Sequence, residues 1–166
     1  NSYEMRVILS EASKKQPHAE FLFLTLTEES SELGQLRKNL TEMNSSIRRL
    51  FQYKEVKRDI LGYIRSTEIT VNRQKMTFHQ HVHILLMVKS TYFKLGHYLT
   101  QKRWSELWER ARKLDYLPVV NIKKIRKSYK DSSLVASAKE VAKYQVKDFD
   151  YLSDDENGDL TVIDEL

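Results

Sequence analysis

The hydrophobic pattern changes period several times along the chain. Phe21-Leu22-Phe23-Leu24-Thr25-Leu26-Thr27 is a compact aromatic and aliphatic run. It predicts a central strand. Leu33, Leu36, Leu40, Met43, Ile47, Leu50 and Phe51 then recur at spacings of three and four, the stripe of a long amphipathic helix lying on a sheet. Ser30 or Ser31 is its expected cap. Glu55–Leu61 continues that helix or forms a short second one, ending at Gly62. Tyr63–Val71 alternates and is β-branched, so it predicts a strand. Asn72–Lys75 is the turn into the next strand, Thr77–Val88, and the two should pair as an antiparallel hairpin. Gln101–Leu114 is a helix with Trp104, Leu107, Trp108, Ala111 and Leu114 on one face, and its tryptophans read as core. Leu117–Ile125 predicts another strand, with Pro118 at its start. Asp131-Ser132-Ser133 caps a helix over Leu134–Lys147. At the N-terminal end, polar apart from Val7-Ile8-Leu9, a short helix or strand precedes a turn around Pro17. The sum is an α+β fold, a central antiparallel sheet of about five strands with helices mainly on one face and a functional site on the other.

Composition narrows the function. The 166 residues form one domain and contain no cysteine, which excludes disulfides and thiolate metal sites and points to an intracellular, cytoplasmic protein. No apolar run reaches the length of a membrane span. Four glycines and no glycine-rich loop argue against a phosphate loop. The net charge is +5, unevenly spread. Eight of the 23 acids lie from Asp148 onward with no Lys or Arg, so residues 1–147 hold 28 bases and 15 acids, a balance of +13. A basic body of this kind implies a polyanion as partner. The densest cluster is Lys123, Lys124, Arg126, Lys127 and Lys130; with Arg65 it offers contacts to a nucleic-acid backbone. Residues 1–152 are expected to form the domain and 153–166 an acidic tail or linker.

The chemistry concentrates on the histidine strand. His79, His81 and His83 occupy alternate positions, so a strand points all three to one face and Phe78, Val82, Ile84 and Leu86 to the other. Imidazoles in register on a rigid strand are ready divalent-metal ligands, although a single one would more often be a satisfied core histidine. The hairpin brings Glu68 beside them, as a third ligand or as a charge on an exposed sheet face. Glu140 and Tyr144, four apart on the last helix, share a face that Lys147 continues. A metal, a basic body and a Glu–Tyr–Lys face together describe metal-assisted attack by tyrosine on a phosphodiester, with Lys147 favouring the phenolate.

These stretches also resemble a known family. His81-Val82-His83, followed by Ile84-Leu85-Leu86, is similar to the His–hydrophobic–His motif of the HUH endonucleases. Phe21–Thr27 resembles their first motif, and Glu140-Val141-Ala142-Lys143-Tyr144-Gln145-Val146-Lys147 the third. Gly62–Asn72, Gln80–Val88, Tyr92-Phe93 and Ala142–Tyr151 resemble the replication initiator proteins of Gram-positive rolling-circle plasmids. The resemblance spans about Phe21 to Leu152 and implies an RRM-like sheet that carries a nicking enzyme. Tyr144 would attack the origin nick site and leave a 5′-phosphotyrosine and a free 3′-hydroxyl. His81 and His83 would hold Mn²⁺ or Mg²⁺, with Glu68, or alternatively His79, as third ligand, and Glu140 would activate water at termination. The implied partners are single-stranded or hairpin DNA at the plasmid double-strand origin and a host helicase.

Two other readings compete. A related HUH transposase or conjugative relaxase is one, though relaxases carry their tyrosine near the N-terminus. The other is a non-catalytic single-stranded nucleic-acid module, which would place aromatics on the sheet face where histidines stand here. Structural zinc lacks a four-ligand Cys/His set.

Overall fold

A computed structural model gives the architecture, and it describes Glu11 and residues 14–125. The helix expected over Leu134–Lys147, with Glu140, Tyr144 and Lys147, lies outside the described residues, as do Arg126, Lys127 and the acidic tail.

The chain folds as α+β around an antiparallel sheet. Its strands are β1 (Glu20–Thr27), β2 (Ser31–Glu32), β3 (Ile60–Asn72), β4 (Thr77–Val88) and β5 (Val120–Ile125). β4 is central: β3 pairs along one edge and β1 along the other, with β2 extending that second edge at Phe78 and Thr77. β5 pairs with the outer edge of β1. β1 is thus paired on both sides and packed on both faces, which is why its sequence is nearly continuous in apolar residues. The expected β3–β4 hairpin forms, with Ile69 opposite Gln80 and Asn72 opposite Thr77. Its turn is held by Asn72 Oδ1, which accepts from the amides of Gln74 and Lys75 at 3.1 Å each.

The helices cover one face. α1 (Leu36–Leu50) and α3 (Gln101–Arg112) lay Met43, Ile47, Leu50, Trp104, Leu107 and Trp108 on Leu24, Leu26, Val82, Ile84 and Leu86. Both tryptophans are fully buried, and their ring nitrogens donate to the Tyr92 hydroxyl at 3.0 Å and to the Thr27 carbonyl at 2.8 Å. They are core, as the helical spacing implied. On the other face a smaller cluster of Phe21, Leu85 and Ile125, with Phe23, Ile64 and Met87 around it, covers one end of the sheet and leaves the histidine end uncapped by this cluster.

Three boundaries differ from the sequence reading. α1 begins at Leu36, not after Ser30 or Ser31, and Leu33 is 66% exposed. Ser31 joins β2 instead. Its hydroxyl is taken by Gln80 Oε1 at 3.1 Å and by the Asn39 amide at 2.8 Å, so it is not free to cap a helix. Gly34, at φ +87, then turns the chain into α1. Second, the short helix α2 is a single turn, Lys54–Lys57, and Gly62 lies inside β3. One turn makes few hydrogen bonds of its own, and pairing of Ile60 with Val88 wins. Third, the last strand starts at Val120, while Leu117 and Val119 are exposed. The turn expected at Pro17 is present, closed by Ala19 N–H to Gln16 O at 3.1 Å.

Candidate metal centre and nucleic-acid face

Strand register assembles the candidate site. On the face away from the helices, β4 presents His79, His81 and His83. Opposite them on β3 stand Thr70, Glu68 and Ser66, and on β1 Thr27 and Thr25 stand opposite His81 and His83. Paired residues share a face, so three strands supply one polar cluster.

Glu68 sits opposite His81 but reaches diagonally: its Oε2 lies 3.0 Å from His83 Nε2. On the other side of that ring, Nδ1 lies 3.3 Å from Thr25 Oγ1. These contacts assign a neutral His83 its proton at Nε2, facing the carboxylate, with Nδ1 accepting from Thr25. His83 is buried and stacks on Phe23 with ring centroids 5.8 Å apart. His79 meets the His81 ring edge-on at 4.1 Å.

His81 differs from its neighbours. Its Nδ1 is buried and has no hydrogen-bond partner. Burial, followed by the neighbouring His79 ring, pushes its pKa below the usual histidine value; Glu68 opposes this. The ring is therefore held neutral, with a lone pair to give. A second orphaned atom, Ser66 Oγ, lies on the same face, opposite His83. Orphaned buried polar atoms carry a desolvation cost, and both fall within the predicted ligand set or directly beside it. Two imidazoles and a carboxylate suit Mn²⁺ or Mg²⁺ in donor type. The side chains do not close around one point, however: among the described residues no group of three His, Asp or Glu is arranged to hold a metal ion.

Behind the strand, the opposite face is locked by polar contacts. Gln80, between His79 and His81, is fully buried; its amide donates to Glu28 Oε1 at 2.5 Å and to Ser31 Oγ at 2.9 Å. Arg112 Nε donates to Glu28 Oε2 at 2.5 Å. β4 is thereby tied to β1, β2 and α3 at the level of the histidines. The threonines of Phe21–Thr27 read in sequence as plain strand residues that could face a phosphate, and Thr25 stands beside His83; Ser66 and this network were missed, and the alternation of Ile64, Ser66, Glu68 and Thr70 would have exposed Ser66 once the register was known.

The basic candidates separate. On β5, Lys123 and Asn121 are exposed on the histidine face, opposite Phe23 and Thr25. Lys124 points the other way and lies over the Phe93 ring at 4.5 Å. Arg65 also faces the helices, donating to Asn44 Oδ1 at 2.7 Å. It is therefore on the wrong face to share a nucleic-acid track with the histidines.

The sequence model described as "Replication protein" matches residues 1–166. The chain belongs to the replication protein family. It is 48% identical to "Protein rep" of Lentilactobacillus hilgardii over 99% of this chain and 53% of that protein. It is 43% identical to "Protein rep" of Lactiplantibacillus plantarum over its whole length and 54% of that protein. A "Replication protein" of Staphylococcus aureus is 40% identical over 96% of this chain and 69% of that protein. The chain thus spans about half the length of the first two relatives. No solved structure matches it. Among the described residues no helix is long and apolar enough to cross a membrane.

Proposed function

We propose that this chain carries the nicking centre of an initiator of plasmid rolling-circle replication. The observation that carries the reading is the polar cluster of His81, His83 and Glu68 on the sheet face turned away from α1 and α3, in a chain of the replication protein family. His81 and His83 would hold Mn²⁺ or Mg²⁺, with Glu68 as third ligand. When bound, the metal withdraws charge from the scissile phosphate and orients it. For Glu68 Oε2 and His83 Nε2 to ligate together, their contact must open and the His83 proton must move to Nδ1, which would then donate to Thr25 Oγ1.

Tyr144 is the nucleophile. Its phenolate oxygen attacks phosphorus, the P–O3′ bond breaks, and the 3′-oxygen leaves as a hydroxyl after taking a proton. The 5′-phosphotyrosine keeps the phosphodiester energy for joining at termination. Lys147 favours the phenolate, and Glu140 activates water to release the enzyme. Single-stranded or hairpin origin DNA is the substrate, and a host helicase would extend the opened duplex.

Incubation with labelled single-stranded origin DNA and Mn²⁺ tests this. A covalent protein–DNA adduct is expected from the native chain and none from Tyr144→Phe. DNA bound without cleavage by the native chain would instead favour the non-catalytic module.

A further inference from the structure

A second candidate site lies away from the histidines, where the C-terminal end of α1 meets the start of β3. A pocket of about 330 Å³ opens there, lined by Arg48, Phe51, Gln52, Lys57, Gly62 and Tyr63 among others. That volume is at the small end of ligand-sized pockets. The Tyr63 ring stacks on Phe51 with centroids 4.2 Å apart and planes 12° from parallel. Phe51 is buried and Tyr63 is 41% exposed. The stack is thus anchored in the core at one end and open at the other. Two cations stand at its rim. Arg48 reaches Ser45 Oγ at 3.4 Å and Lys57 donates to Gln52 Oε1 at 3.2 Å, both neutral partners. Among the described residues no carboxylate pairs with either.

The backbone at this place is also irregular. The ladder slips between Ile60 and Gly62, which leaves Leu61 as an extra residue opposite β4. Gly62 itself has no left-handed φ, and a Cβ built on it meets nothing within 4 Å. The chain's own packing therefore does not require glycine. Gly62 flanks the bulge, as strand glycines often do, and leaves the backbone there open to close approach.

An open aromatic face beside two cations that no described carboxylate pairs with fits the chemistry of a base joined to a phosphate. We infer that this pocket takes a single nucleotide of a DNA strand, its base stacked on Tyr63 and its phosphate against Arg48 and Lys57. Tyr63 is five residues from Glu68, roughly 17 Å along β3 at about 3.3 Å per residue, and on the opposite face. The pocket is thus separate from the metal cluster and holds strand that is not being cut. Only the choice of a DNA strand over a free nucleotide rests on the proposed function.

The test uses the 166-residue chain carrying Tyr144→Phe, in EDTA, so that neither metal nor cleavage enters. Binding of a fluorescein-labelled oligothymidylate is followed by anisotropy. Stacking is worth roughly 1–3 kcal/mol per base, so Tyr63→Ala should weaken binding about tenfold. Arg48→Gln with Lys57→Gln leaves the core untouched and should flatten the slope of log K against log salt by about 0.7 for each phosphate no longer neutralised. A 5-bromouracil oligonucleotide should photocrosslink to Tyr63. Unchanged affinity and salt slope in the charge variant, or crosslinks confined to the histidine face, would overturn the assignment. Binding of thymidine monophosphate with the same sensitivities, but not of the strand, would overturn the choice of DNA. Failure of Tyr144 to form an adduct bears on the nicking proposal and leaves this result standing.

Discussion

Glu68 stands opposite His81 in the β3–β4 ladder, yet its carboxylate contacts His83, 3.0 Å away. One acid therefore contacts His83 directly and acts on His81 through its charge, whereas His79 touches only the edge of His81. If Glu68 completes the metal site, Glu68→Ala should weaken Mn²⁺ binding by at least about tenfold, the scale on which even outer partners act. His79→Ala should stay near the native affinity. Titration calorimetry with Mn²⁺ on the two variants decides it; the reverse ranking would move the third ligand to His79.

Much of this face could be read before any coordinates. Phe21–Thr27 and Thr77–Val88 carry their burial in their own pattern, because two-sided packing leaves a continuous run and one-sided packing an alternating one. What failed depended on tertiary partners. Ser31 looks like a helix cap until Gln80 and Asn39 claim its hydroxyl. Gly62 looks like a helix stop until Ile60 is seen paired with Val88. Arg65 counted as a DNA contact on its charge alone, although it stands three positions from Glu68 and strand alternation turns it to the other face, where it meets Asn44. Thr25 and Ser66 enter the site only through register, which no single strand encodes.

Glu140 is expected to separate cleavage from release. If it activates water at termination, Glu140→Gln should still form the Tyr144 adduct but leave it uncleared. Denaturing gels over a time course should show the covalent species persisting in the variant after it has declined in the native chain. Loss of the initial adduct would instead place Glu140 in the nicking step.

Arg112 should be a large contributor to stability. It binds Glu28, which is buried, and also reaches Glu42 at 3.1 Å. Arg112→Ala strands a buried carboxylate that also holds Gln80, so the expected cost is about 3–5 kcal/mol. Arg103 and Glu55 form a similarly short pair at 2.6 Å, but both are substantially exposed. Solvent screening limits Arg103→Ala to about 1 kcal/mol or less. Urea unfolding of both variants should show this asymmetry, and equal losses would mean that water reaches the Glu28 site.

The alkaline limb of stability should report on Tyr92. Its hydroxyl donates to the Leu99 carbonyl at 3.2 Å and accepts from Trp104 at 3.0 Å. Burial pushes its pKa from 10 up to about 12. Between those values the unfolded chain has released the phenolic proton and the folded chain has kept it. Stability from this group is therefore fully present below pH 10 and falls as pH rises toward 12, by roughly 2–3 kcal/mol at 1.36 kcal/mol per unit. Tyr92→Phe should be less stable at neutral pH by about 1–3 kcal/mol, because both hydrogen bonds are gone. That deficit should shrink as pH rises through this window. A constant deficit would show that Tyr92 ionises with the exposed tyrosines.

Lys113 closes α3 in the left-handed conformation, at φ 59. Its amide and that of Leu114 donate to the carbonyls of Arg110 and Glu109 at 3.3 and 3.0 Å, so the geometry satisfies the last turn despite the side chain. A Cβ in that region costs about 1–2 kcal/mol, part of which glycine's greater unfolded freedom offsets. Lys113→Gly should therefore stabilise the chain by roughly 0.5–1 kcal/mol, seen as a rise of about 1–4 °C in Tm. Lys113→Val should do the opposite, since β-branching is poorly tolerated at positive φ. If valine were tolerated as well as glycine, the helix would have to end by some other route, with residue 113 at negative φ.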